Sequence, residues 1–196
     1  MGLVCRAVIF LGVVAGAVAV GPARSAGDVS RGAARAAACE GCHGTPERAP
    51  LAGTPYLAGQ QDEFLVLQMF LFREGLREVP QMAGLFKGVT DYDFMDMAAY
   101  FSRQTPPRGD AGPDPKLRAR GAELAKAMGC GSCHLPDFRG QKQIPRLERQ
   151  REDYLARTLK EYRDNKRTGA DTSMNGLMYR VTDGDIDALA HFLAHQ

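Results

Sequence analysis

The chain has 196 residues, of which 44% are hydrophobic and 24% charged, with 11 Pro, 22 Gly, five Cys, no Trp and a formal net charge of +2. That length suits one ordinary domain or two small ones. The absence of any basic excess excludes a dedicated nucleic-acid binder. Arg6 and Arg24 are the only charges in residues 1–25, so the rest is balanced, with −3 over residues 26–105 and +3 over 106–196. A charge dipole of this kind suits the orientation of transient protein partners.

Residues 1–25 read as a secretory signal peptide rather than as fold. Arg6 precedes an apolar run from Ala7 to Val20, followed by Gly21-Pro22 and small residues. Cleavage is expected after Ser25, with Ala23 at the −3 position. The alternative, a retained membrane anchor, asks a run of this length to do the work of about 20 apolar residues. Cys5 leaves with the signal peptide, so four Cys remain for the folded chain.

Val29–Ala38 is Ala-rich with spaced Arg and predicts a helix running into Cys39-Glu40-Gly41-Cys42-His43. Gly44–Gly59 reads as a loop. Gln61–Arg73 has Phe64, Leu67 and Leu71 at helical spacing. Gly75–Lys87 is irregular and contains Met82. In Asp91–Gln104, Phe94, Met97, Ala98 and Phe101 predict a second helix, N-capped by Thr90 or Asp91. Thr105–Pro115 holds four Pro and two Gly, which excludes helix and strand; residues 106–115 are assigned as a linker.

The pattern then repeats. Lys116–Met128 predicts a helix running into Cys130-Gly131-Ser132-Cys133-His134. Phe138–Gln150 is a loop, Arg151–Arg163 a helix, Lys166–Arg180 an irregular stretch with Met174 and Met178, and Thr182–His195 the closing helix. Cys39 pairs with Cys130 at an offset of 91, Pro55 with Pro145 and Phe64 with Tyr154 at 90, and Thr90 with Thr182 at 92. A near-constant offset marks an internal repeat. The reading is all-α, with an N-terminal domain over 26–105 and a C-terminal domain over 116–196.

Cys-x-x-Cys-His is the attachment signature of a c-type haem. Two thiols three positions apart reach the vinyl groups on one porphyrin edge, and the adjacent imidazole lies under the iron. A thioredoxin-like site needs a βαβ context and a zinc site needs two Cys pairs close in space; neither fits pairs that open separate helical repeats. Two covalent haem c groups are therefore expected, on Cys39, Cys42, Cys130 and Cys133, with His43 and His134 as proximal iron ligands. Such bodies also compensate for the small core of a domain of about 80 residues.

The sixth ligand decides between an open, reactive iron and a closed, electron-transferring one. Met82 lies eight residues before Thr90, and Met174 eight before Thr182. These two are the expected distal ligands. Met178 aligns with Phe86 and is the second choice. His191 aligns with Ala99, and the pair His191 and His195 reads as surface. Carbonyls at Pro55 and Pro145 are candidates to accept the proximal His N–H and fix its ring, the alternative being plain turn prolines. Residues 139–167 carry ten basic and five acidic residues. They are read either as a solvated face or as a surface for haem propionates and an acidic partner.

The constellation resembles the dihaem class I cytochromes c of the cytochrome c4 type. The resemblance runs from about Gly27 to the C-terminus. It rests on Pro55-Tyr-Leu-Ala-Gly-Gln60, Phe64-Leu65, Phe72-Arg73-Glu-Gly75, Met82 and Ala98-Ala-Tyr100, then on Ile144-Pro-Arg-Leu147, Tyr154-Leu155, Tyr162-Arg163-Asp164, Met174, Asp185-Ile186 and Leu189-Ala190. It implies two class I cytochrome c domains, each wrapped around one His/Met haem. It also implies a periplasmic carrier between a cytochrome bc complex and a terminal oxidase, with no small-molecule substrate and at most loose association with the membrane surface. Similar chains serve as electron-accepting subunits of periplasmic dehydrogenases of the flavocytochrome c type. A dihaem peroxidase is the competing enzyme class. One departure is Arg149, standing where the first repeat has Gly59, which is expected to alter the loop near the second haem.

Overall fold

The computed structural model describes residues 27–106, 112–167 and 172–196. The signal-peptide assignment, Cys5 and linker residues 107–111 lie outside the described residues. Among those described, the regular structure is helical, with two isolated β-bridges, Thr45 with Arg48 and Gln141 with Ile144.

The N-terminal repeat comprises α1 (Val29–His43), α2 (Asp62–Arg73), a 3₁₀ turn (Pro80–Met82) and α3 (Asp91–Ser102). The C-terminal repeat comprises α4 (Pro115–Ala127), α5 (Gly131–His134), α6 (Glu152–Arg163), α7 (Ser173–Met178) and α8 (Asp183–Ala194). Caps define the ends. Asp28 accepts from Arg31 N–H to start α1. Thr90 and Asp93 form a capping box that starts α3, and Thr182 accepts from Asp185 N–H to start α8. Pro115, assigned to the linker from sequence, instead opens α4 at a position where its missing N–H costs nothing. The stretch Lys166–Arg180, expected to be irregular, contains the short α7, anchored by Asn175 donating to the Tyr162 and Arg167 carbonyls.

In each repeat the first helix crosses the last at a glycine. A Cβ on Gly32 would sit 2.0 Å from the Asp96 carbonyl oxygen, and one on Gly121 would sit 2.1 Å from that of Ala188. The backbones touch there, and no side chain fits between them. Apolar residues behind each crossing form the two cores. One gathers Ala36, Leu65, Ala98 and Phe101, with Phe86, Phe94 and Met97 adjoining; the other gathers Leu155, Leu159, Met178, Ile186, Leu189 and Leu193. Arg73 and Arg163 play matching parts. Each donates to the carbonyl just before the cap of its closing helix, at Val89 and Val181, and pairs with the first acidic residue of that helix.

The repeats differ where α1 meets its attachment motif. Ala38 lets α1 run unbroken through His43, whereas the aligned Gly129, at φ 68°, stops the helix before α5 begins.

Gly121→Ala should lower stability by about 1–3 kcal/mol through forced separation of α4 and α8. Gly184→Ala, with no atom near its added Cβ, should be neutral or stabilising by up to about 1 kcal/mol. Chemical denaturation of the two variants checks the contrast.

Candidate functional site

Each attachment motif lies along one helical turn and ends in an imidazole aimed by a loop. Gly44 leaves α1 at φ 73°, and its Cβ would collide with the Arg48 carbonyl; Gly140, at φ 72°, stands in the same relation to Ile144. These two tight turns carry the β-bridges and return the chain to Pro55 and Pro145. His43 Nδ1 is 2.9 Å from the Pro55 carbonyl oxygen, and His134 Nδ1 is 2.9 Å from that of Pro145. A carbonyl can only accept, so Nδ1 carries the proton and Nε2 keeps its lone pair. Burial depresses the basicity of both rings, opposed by these carbonyls; near His43 the Arg77 charge depresses it further. Both are thus neutral imidazoles.

Cys39 and Cys130 are half-buried and Cys42 and Cys133 exposed. Burial raises the pKa of Cys39 and Cys130. Met82 ends the 3₁₀ turn and is half-buried against the Phe86–Phe94–Met97 cluster. Met174 lies in the first turn of α7, half-buried at the edge of the second core. Met178 is 2% exposed and lies inside that core, as Phe86 at 7% lies inside the first.

Two sequence expectations need correction. His191 and His195 are not surface residues: His191 is 7% exposed, and the side chain of His195 is 8% exposed. His191 Nε2 accepts the Asp114 N–H at 2.9 Å and Nδ1 lies 3.0 Å from a Glu152 carboxylate oxygen. That pattern places a ring proton on Nδ1 and ties the start of α4 to α8 and α6. Glu152, His191 and His195 do bring three donor atoms together. A metal on His191 Nδ1 would move the ring proton to Nε2, against the Asp114 N–H. The cluster is therefore a structural clasp. The second correction concerns Arg149. It adopts φ 56°, close to the 68° of Gly59. Its N–H donates to Leu193 O at 3.0 Å, as Gly59 N–H donates to Phe101 O at 2.9 Å. The loop keeps its path. Glycine is demanded at 59, where Pro106 leaves no room for a Cβ, whereas Arg149 extends to the Gln196 carbonyl.

The charge of residues 139–167 is largely neutralised by carboxylates inside the segment and beside it. Arg139 pairs with Asp137, Arg146 with Glu148, Arg151 with Asp153, Arg157 with Glu161, Lys160 with Asp187, and Arg163 with Asp164 and Asp183. Several of these residues also reach the N-terminal repeat. Arg146 donates to Gly59 O and Arg157 to Gly53 O, while Asp153 accepts the Gly53 N–H at 2.8 Å. The centre of this contact is a reciprocal pair of amides. Gln60 binds the backbone of Arg146 at both N–H and C=O, and Gln150 binds that of Tyr56 in the same way. From sequence, Gln60 counts only as part of a resembling motif and neither glutamine has a role, although they repeat at an offset of 90.

A second missed group joins the repeats. Arg77 and Arg167 converge on the Tyr154 hydroxyl, with Arg167 Nη1 3.2 Å away. Burial alone would raise this phenol, but the two guanidiniums outweigh it and bring it down to about 7. Burial and the Arg167 charge weaken Arg77's hold on its proton. Among the described residues neither guanidinium forms an ion pair with a carboxylate. The residues at each motif therefore fit haem: two thiols on one turn and a neutral imidazole with a bare Nε2, with the cations Arg77 and Arg167 between the repeats suited to propionates.

A family model for cytochrome c matches residues 118–196. Cytochrome c4 of Pseudomonas aeruginosa is 36% identical over 184 residues, spanning 88% of this chain and 90% of its own. The chain belongs to the cytochrome c4 family. The crystal structure of reduced recombinant cytochrome c4 from Pseudomonas stutzeri matches with a TM-score of 0.77 at 32% identity, covering 86% of this chain and 98% of that one. A thiosulfate dehydrogenase electron acceptor of Thiomonas intermedia is 30% identical over 172 residues, 82% of this chain and 79% of its own. As a member of the cytochrome c4 family, this is a dihaem electron-transfer protein rather than a catalyst. It carries two covalently bound haem c groups at the Cys39/Cys42 and Cys130/Cys133 motifs, and it works with redox protein partners.

Asp153, bonded to Arg151 in its own repeat and to the Gly53 N–H of the other, supplies a pH test of stability. Its hydrogen bond from Arg151 leads the causes that lower its pKa to about 2, below the usual value near 3.9. A depressed carboxylate stabilises the fold above the unfolded value and loses that contribution as pH falls from about 4 through about 2. Its side chain is 43% exposed, so screening limits the effect to about 1 kcal/mol. Asp153→Asn should flatten the acid limb of stability over that window in a pH series of denaturation curves.

Proposed function

We propose that this member of the cytochrome c4 family is an exported single-electron carrier whose two irons are both closed by protein ligands. His43 and Met82 would hold the iron of the haem on Cys39 and Cys42, and His134 and Met174 that of the haem on Cys130 and Cys133. The observation that carries this reading is the fixed tautomer of each histidine, with Nδ1–H spent on Pro55 or Pro145 and Nε2 available. When bound, each haem supplies one ferric/ferrous couple, so electrons are taken and given singly and no substrate bond changes. The prolyl carbonyls would orient the imidazoles and raise their basicity. A thioether opposite would favour the ferrous state. Arg77 and Arg167 would neutralise propionates where the two domains meet.

Met174 is preferred to Met178 because Met178 is a core residue, packed as Phe86 is in the first repeat. We assign 26–105 and 116–196 as the two domains, 106–115 as the linker apart from Pro115, which opens α4, and 1–25 as the signal peptide, with the periplasm as the compartment. Among the described residues no helix is long and apolar enough to cross a membrane. The partners proposed are a cytochrome bc complex as donor and a terminal oxidase as acceptor. The second reading, an electron-accepting partner of a periplasmic dehydrogenase, is favoured by the likeness to a thiosulfate dehydrogenase electron acceptor. Native purification with a dehydrogenase bound would select it.

Carbon monoxide added to the reduced protein should leave both haem spectra unchanged. Fast binding at both irons would sink the closed-iron reading, and a high-spin resting haem would favour the peroxidase class. Met174→Ala should open the C-terminal haem to carbon monoxide and lower its potential. Met178→Ala should instead cost about 2–5 kcal/mol of stability and leave the iron closed. The reverse outcome assigns the ligand to Met178.

A further inference from the structure

The two domains hold each other through a crossed pair of glutamines, and the bonds involved reach the iron ligands. Gln150 Oε1 accepts the Tyr56 N–H at 2.8 Å, and its Nε2 donates to the Tyr56 carbonyl at 3.0 Å. Gln60 Oε1 accepts the Arg146 N–H at 2.6 Å, and its Nε2 donates to the Arg146 carbonyl at 3.1 Å. Gln60 is 5% exposed and Gln150 7%.

The Pro55 carbonyl and the Tyr56 N–H belong to one planar amide, as do the Pro145 carbonyl and the Arg146 N–H. Each amide is therefore bonded at both ends. Its oxygen accepts from the histidine of its own domain, and its N–H donates to the glutamine of the other. A bond donated at N–H shifts electron density toward the carbonyl oxygen and makes it a better acceptor. A better acceptor draws harder on the Nδ1 proton, which makes the imidazole a more basic ligand and favours ferric iron.

We propose that Gln60 and Gln150 are positioning residues for electron transfer that act crosswise. Gln150, in the C-terminal domain, sets the basicity of His43 and the potential of the N-terminal haem. Gln60, in the N-terminal domain, does the same for His134 and the C-terminal haem. Each iron thereby senses whether the other domain is docked. This inference rests on His43 and His134 being the proximal ligands. Simple adhesion of the domains makes a different prediction: loss of either glutamine would disturb both haems alike.

The test uses the holoprotein, with redox titration read from the separate haem methyl resonances. Gln150→Met keeps the side-chain length and removes both bonds to Tyr56, along with the one Oε1 accepts from the Arg151 N–H. It should raise the ferrous-to-ferric ratio of the N-terminal haem roughly threefold at fixed potential, about 28 mV on a scale of about 59 mV per decade. The C-terminal haem should move less than half as far. Gln60→Met should give the mirror result. The His43 Nδ1–H resonance should move upfield in Gln150→Met and hold or move downfield in Gln150→Glu, which keeps an acceptor for the Tyr56 N–H. A shift confined to the haem of the substituted domain, equal shifts at both, or no shift at either would overturn the proposal. Should Gln150→Met fail to assemble, Gln150→Glu decides, because an upfield His43 signal there also overturns it. Failure of the ligand assignment is separate and visible first, as a wild-type spectrum lacking two six-coordinate low-spin haems.

Discussion

The bond on which the rest depends is the one from an imidazole Nδ1–H to a prolyl carbonyl, made once in each repeat. It selects the ring tautomer, fixes the ring plane and leaves one lone pair facing outward. The surrounding backbone is shaped to deliver it. Gly44 and Gly140 turn so tightly that any Cβ would strike a carbonyl, and the bridges beyond them bring the chain back to Pro55 and Pro145. Helix crossings at Gly32 and Gly121 hold α1 and α4, which lead into the attachment motifs, against α3 and α8.

The two repeats reach the same end by different local means, which separates what the site requires from what it tolerates. His43 lies twelve residues from its carbonyl partner and His134 eleven, yet both bonds are 2.9 Å long. One attachment motif closes a continuous helix, while the other sits on a separate turn after Gly129. Gly59 cannot be larger because Pro106 crosses it, whereas Arg149 holds the same left-handed backbone at an exposed position. The left-handed turn is the common requirement, and glycine is needed only where something lies against it.

Much of this was legible in the sequence because the code was local. The attachment motif, the i, i+3, i+4, i+7 spacing of α3 and α8, and the caps Thr90 and Thr182 are all read within a few residues. The all-α architecture and the family followed from setting the copies in register. What escaped reading depended on contacts far apart in the chain. The burial of His191 follows from Asp114, 77 residues away, and from Glu152, 39 residues away. Nothing near His191 in sequence reports either. Arg167 was one of ten basic residues in 139–167 and Arg77 stood in an irregular stretch, until folding set both beside Tyr154. The excess of positive charge over 139–167 was real as composition, but partners such as Asp183 and Asp187 lie outside the segment, so its local balance could not be judged from that window.

The matched glutamine contacts have a consequence for how such a chain could arise. Gln60 with Arg146 and Gln150 with Tyr56 are one contact made twice about an approximate twofold axis. This is the isologous pattern of a symmetric homodimer. Two unlinked copies of a single domain with this loop would present complementary faces to one another. Joining them in tandem turns that association into an intramolecular event, with an effective concentration on the order of millimolar for a short tether. A weak encounter thus becomes a standing arrangement, and the two halves are then free to diverge without losing each other.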